Sequence, residues 1–132
     1  MRYKFMKKDI IETIYEISEE FDVIMKNHIV INKDLNVILF AHYCSSELFY
    51  KHFYKISKEV FQVNNLAKRN LKVCKIVLKK AGYKKIYTKG VFSFYGDLRP
   101  LAVKANFGKW GENGLIVNDK YGSNFLISAI FF

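Results

Sequence analysis

LAKRNLKVCKIVLKKAG, residues 66–82, carries two signals in one segment. On a wheel of about 100° per residue, Leu66, Ala67, Leu71, Cys74, Val77, Leu78 and Ala81 gather on one arc, the mark of a helix with a core face. Lys68, Lys72, Lys75 and Lys79 fall within about 60° of one another on the far side. Gly82 offers the left-handed residue that closes many helices. The spacing therefore predicts a helix over roughly 66–80 with a buried face and a lysine ridge.

Upstream, Phe49, Phe53, Ile56 and Val60 recur at four, three and four residues behind a possible N-cap at Ser45 or Ser46. This predicts a separate helix to about Phe61, with Asn64 and Asn65 interrupting the pattern before the next one. Val23 to Tyr43 is rich in β-branched and aromatic residues and is broken by the polar cluster from Asn32 to Asn36, which predicts a hairpin of His28 to Ile31 and Val37 to His42. Nearer the start, Ile10, Ile14, Ile17 and Phe21 share one helical face, and Glu12, Glu16, Glu19 and Glu20 stand on the other. Those acids are placed to neutralise part of the lysine patch in the folded chain.

After Gly82 the texture turns to short β-prone runs between glycine-containing turns. The expected strands are Lys84 to Lys89, Val91 to Tyr95, Leu101 to Phe107, Leu115 to Asn118 and Phe125 to Phe131. Short connections imply antiparallel neighbours. Alternation of Leu101, Val103, Ala105 and Phe107 with Lys104 and Asn106 suggests a strand with one wet side. The predicted architecture is α+β: an N-terminal helix, a β-hairpin and two helices packed on a C-terminal antiparallel sheet of about four strands.

The whole chain has 132 residues, enough for a single domain, residues 1–132, around one core. Half of the residues are apolar, 51%, which is too many for a disordered polyelectrolyte. Acids behind Lys8 break any apolar signal-peptide region, and the apolar runs are far shorter than the roughly 20 residues of a membrane span. A cytoplasmic protein without a membrane span is expected. Two cysteines, Cys44 and Cys74, are too few for a disulfide framework and read as free thiols.

Charge is distributed unevenly. Lys51 to Lys89 holds twelve of the 22 basic residues against the single acid Glu59, so this third carries +11 of a total of +10, the two ends summing to −1. The excess of lysine over arginine, with abundant Ile, Asn, Phe and Tyr, fits an AT-rich coding sequence, but such bias does not gather charge into one segment. A row of ammonium groups about 5–6 Å apart can neutralise successive phosphates and release counterions. Lys68, Lys72, Lys75, Lys79, Lys84, Lys85, Lys104 and Lys109, with Trp110 as a stacking ring, are the candidate nucleic-acid contacts. Three arginines are few for bidentate reading of guanine edges, so contact with the backbone of RNA or single-stranded DNA is expected. The competing bland reading of the ridge is an ordinary solvated face, and a basic helix lying on an anionic membrane is disfavoured by its core-like apolar arc.

Signs of catalysis are weaker. Gly108, Lys109, Trp110 and Gly111 match the GxxG loop of KH domains in letters only, since strand-like runs rather than helices flank it; a hairpin loop is expected, with Trp110 at its tip free to stack a base or, more often for such a residue, folded back to bury its ring on the sheet. Asp97 with Lys104 lacks the second carboxylate of metal-dependent nucleases, because Ala102 stands where it would be. His28, His42, His52 and Cys44 lack the two close-spaced pairs of a zinc site, so no metal or cofactor is expected. A metal-independent ribonuclease would have His42 or His52 as general base and Arg99, Lys104 or Lys109 on the phosphate. The layout of helices followed by an antiparallel sheet is similar to that of small RNase toxins, with no residue motif behind the likeness. The alternative from another class is a phage- or plasmid-type protein that binds and inhibits another protein, with Tyr50, Tyr54 and Trp110 in the contact.

Overall fold

The computed structural model describes residues 7–44, 53–91, 98–111 and 114–132. Its elements are α1 (Lys7–Glu19), β1 (Val23–Asn32), β2 (Leu35–Tyr43), α2 (Phe53–Lys80), β3 (Tyr87–Lys89), α3 (Arg99–Lys104), β4 (Lys109–Trp110), β5 (Ile116–Val117) and β6 (Phe125–Phe131). The fold is α+β. A four-stranded antiparallel sheet has the order β1-β2-β6-β3, and β4 with β5 forms a second, two-stranded sheet.

The hairpin forms where the polar cluster predicted it. Asn32 pairs with Leu35 across Lys33 and Asp34, and the Asn32 side chain accepts a hydrogen bond from the Asp34 amide at 3.0 Å. Its strands are longer than expected, and β1 stays paired with β2 along its length through two register shifts. The chain's last strand then inserts between β2 and β3, so β2 has a strand on each side and is buried on both faces. That is why its sequence reads as a continuous apolar run from Val37 to Ala41.

Alternation along β2 divides the core in two. Ile38 and Phe40 pack with Ile10, Ile14, Leu71, Cys74, Leu78, Ile130 and Phe132, under α1 and α2. Val37, Leu39 and Ala41 face the other way, against Ala102, Ala105, Phe107, Ile116 and Phe125. The sheet thus lies between a helical layer and a layer built from α3, β4 and β5.

Two expectations are corrected here. The predicted break at Asn64 and Asn65 does not occur, and α2 runs for 28 residues, about 42 Å. Two asparagines cost less than about 1 kcal/mol each in helix propensity. The buried row Val60, Val63, Ala67, Leu71, Cys74 and Leu78 runs past them at helical spacing, and this burial outweighs the local cost. The proposed caps at Ser45 and Ser46, with Phe49, lie outside the described residues.

The expected strand from Leu101 to Phe107 is instead the short helix α3 and its cap. Leu98, Ala102 and Ala105 are its buried positions, a four-and-three spacing that the alternating reading overlooked, and Pro100 in the first turn suits a helix start. Asn106 takes the left-handed conformation at φ 65° and ends the helix, with the Phe107 amide bonding to the Ala102 carbonyl at 2.9 Å. α2 closes in the same way at Gly82, φ 104°, where the Tyr83 amide reaches the Leu78 carbonyl at 3.1 Å. Of the predicted strand from Val91 to Tyr95, residues 92–95 lie outside the described set.

Candidate nucleic-acid interface

Burial of one side of α2 dictates where its lysines emerge. Lys68, Lys72 and Lys79 are exposed and Lys75 is half-buried, all on one flank of the helix, and the first two with Lys75 stand beside the edge strand β3. Between helix and strand lies a cleft of about 300 Å³ lined by Lys68, Leu71, Lys72, Lys75, Thr88 and Gly90. Lys84 and Lys85 are exposed in the connection that leads from the end of α2 into β3. Of these six lysines, Lys68, Lys72 and Lys75 line the cleft, and Lys79, Lys84 and Lys85 follow in the chain before β3.

The glutamates of α1 do not neutralise these lysines among the described residues. Glu12, Glu16, Glu19 and Glu20 are all exposed, and Glu19 pairs instead with Lys26 of β1 at 3.1 Å. The six lysines form no salt bridge with a described carboxylate.

Three other candidate contacts lie elsewhere. Lys104 stands in the last turn of α3, not on the wet side of a strand, and Lys109 and Trp110 form β4. All three belong to the layer on the far side of the sheet from α2. Trp110 is not at the tip of a loop either: the Arg99 guanidinium lies over its ring, 5.5 Å from the centroid, while Arg99 Nη1 donates to the Gly114 carbonyl at 2.8 Å. The residue is 50% exposed, but one face of its ring is occupied. Gly108 is required at the start of β4, since a Cβ there would run into the Val117 carbonyl.

The catalytic candidates do not assemble. His42 is 1% exposed, enclosed on the helical side of the sheet, whereas Arg99 and Lys104 belong to the opposite layer. No phosphate can reach His42 and those cations together. Burial lowers the pKa of the imidazole, opposed by the nearby Phe21 backbone and the Asp22 charge. The Phe21 backbone lies near the ring but outside hydrogen-bond geometry, so neither ring nitrogen has a partner in the described structure. His28 has a structural role, its Nε2 lying 2.9 Å from Asn36 Oδ1 and its ring stacked on Phe132. His52, Asp97 and Tyr50 lie outside the described residues, as does the Tyr54 side chain.

Both cysteines are free and buried. Burial pushes the Cys44 thiol up to about 11, with Glu59 adding to the shift, and burial pushes Cys74 up to about 12. Both stay protonated near neutral pH, which suits neither metal ligation nor nucleophilic attack. Among the described residues no three His, Cys, Asp or Glu side chains converge as metal ligands, and no helix is long and apolar enough to cross a membrane.

A prediction follows for His42. Its folded pKa lies below the unfolded value of about 6.5, so the unfolded chain binds the extra proton first and stability falls as pH drops. The neutral ring's full contribution is present above about pH 6.5 and is lost as pH falls towards the folded value, by up to about 1.4 kcal/mol per pH unit. Urea midpoints between pH 7.5 and 5 should therefore decline less in His42→Leu than in the wild type. Parallel curves would show that His42 does not titrate differently on folding.

Compared with protein-family models, curated proteins and solved structures, the chain has no significant match.

Proposed function

We propose that this protein binds nucleic acid through the phosphate backbone, along the lysine path of α2 and the connection to β3. The supporting observation is that Lys68, Lys72 and Lys75 line a cleft beside the sheet edge without pairing to any described carboxylate. An uncompensated row of cations at helical spacing attracts a chain of regularly spaced anions, and the bound strand releases its counterions. Lysine ammoniums act as point charges, so the contact follows backbone and shape more than base sequence. A plain structural role is also open to the same residues, because lysines beside an exposed edge strand discourage pairing with other chains.

Salt separates these roles. With the four ridge lysines on phosphates, log affinity against log salt should have a slope of about −3, and Lys72→Gln should reduce that slope by about 0.7 while weakening all sequences alike. A mobility-shift titration at several salt concentrations reads both values. Failure to bind RNA or single-stranded DNA at low salt would leave the lysines as edge protection only.

A second reading, binding and inhibition of another protein, is favoured by the far layer. There Leu115 and Val117 are exposed on one face of β5 and the residue before it, and Trp110 is exposed on the other face, opposite Ile116. Such a partner would be held by apolar contact. Binding that survives high salt and depends on Leu115 and Val117 rather than on the ridge would support it.

A further inference from the structure

Phe61 is the most exposed large apolar side chain among the described residues, at 64%, and it belongs to none of the three core clusters. Its position is not random with respect to the lysines. Phe61, Asn65, Lys68, Lys72, Lys75 and Lys79 follow one another at spacings of four, three, four, three and four, a single stripe along the outer flank of α2. Phe61 heads this stripe, two helical turns or about 10 Å before Lys68.

A benzene ring left in water costs hydrophobic free energy that a core position would recover. Placed in line with a phosphate-binding row, the ring has a use: it offers a flat apolar face to a base while the lysines hold the backbone that follows. Only an unpaired base can present its π-face in this way, since bases in a duplex are already stacked on their neighbours. The cleft between α2 and β3 agrees in scale. At about 300 Å³ it suits part of one strand, with the Thr88 hydroxyl among its polar groups.

We infer that the α2 stripe is a site for single-stranded nucleic acid, in which one base stacks on Phe61 and the phosphates beyond it run along Lys68, Lys72 and Lys75 past Thr88. The inference rests on the backbone-binding reading proposed above and assigns to Phe61 the stacking role that the sequence suggested for Trp110.

The test compares an oligothymidylate, the same length of abasic backbone, and the oligothymidylate paired with oligoadenylate. The wild type should bind the single strand more tightly than the duplex. Phe61→Ala should weaken the base-bearing strand about tenfold and leave the abasic strand unchanged, whereas Phe61→Tyr should keep the affinity. Because Phe61 lies outside the core clusters, these variants should melt like the wild type. Phe61→Trp, made with Trp110→Phe, gives a direct signal: its fluorescence should be quenched by the oligothymidylate and not by the abasic strand.

Equal affinity for duplex and single strand, or an unchanged affinity in Phe61→Ala, overturns the stacking site. If reversing the lysines still abolishes binding in that case, the backbone reading stands without it. If the wild type binds none of the three, both readings fall together.

Discussion

Changing Lys68, Lys72, Lys75 and Lys79 together to Glu is expected to abolish nucleic-acid binding while the protein remains folded. Each replacement removes two units of charge, so the net charge of +10 falls to about +2 and the ridge itself becomes acidic. The phosphates then meet repulsion where four counterion-releasing contacts had been, and affinity at low salt should fall by a factor of about 1,000 or more. The fold should tolerate this, because three of the lysines are exposed and none is paired with a described carboxylate. Glutamate is as good a helix former as lysine. The largest structural cost is at Lys79 in the last turn, where a negative charge opposes the helix dipole by about 0.3–1 kcal/mol.

Circular dichroism and a mobility shift on the same preparation check both halves of that prediction. Unchanged affinity in a folded variant would remove the ridge from the interface. Should the variant unfold, the corresponding Gln set keeps the question open to measurement, since it removes the attraction without adding repulsion.

Phe40→Ala is expected to destabilise the protein by about 3–5 kcal/mol. Phe40 is fully buried in the middle of β2, in the cluster formed with residues of α1 and α2. Its removal leaves a cavity between two close-packed layers, neither of which can collapse freely. Against a typical total of about 5–15 kcal/mol, this is a large share of the stability. The urea midpoint should drop sharply, with an unchanged slope if unfolding stays two-state. Phe61→Ala provides the internal contrast, the same side-chain deletion from a ring that packs in no core cluster. A cost below about 1 kcal/mol for Phe40→Ala would mean that α2 is not seated on the sheet as described.

Several features of the fold were legible because they depend on local spacing. Ile10 and Ile14 identified the core side of α1, Leu71, Cys74 and Leu78 that of α2, and the polar residues from Asn32 to Asn36 located the hairpin turn. Gly82 is legible as a cap because its left-handed conformation is one that few other residues take without strain. The errors arose where two periods fit the same letters. Leu101, Val103, Ala105 and Phe107 alternate like a strand, yet Leu98, Ala102 and Ala105 are spaced for a helix, and only the neighbouring layer selects between them.

The candidate site divides along the same line. That Lys68, Lys72, Lys75 and Lys79 share a flank follows from helical periodicity. That Lys104 and Lys109 lie across the sheet from them, and that Arg99 occupies a face of Trp110, depends on how α3 and β4 are placed in space. In the sequence Phe61 stands at the end of the helix predicted to about that position, one residue past its apolar stripe, and shows no relation to the lysines. Extending α2 through Asn64 and Asn65 brings it into line with the ridge.

The order of apolar and charged residues alone determined the α+β class, the core sides of α1 and α2 and the gathering of positive charge on one flank of α2. Those properties depend on the repeat of a helix or strand, which any short segment contains. Tertiary structure decided that β6 enters between β2 and β3, that α2 continues unbroken, and that the basic residues separate onto two layers. These outcomes depend on apolar surface buried between segments distant in the chain, and that free energy exceeds the local preferences from which a segment is read.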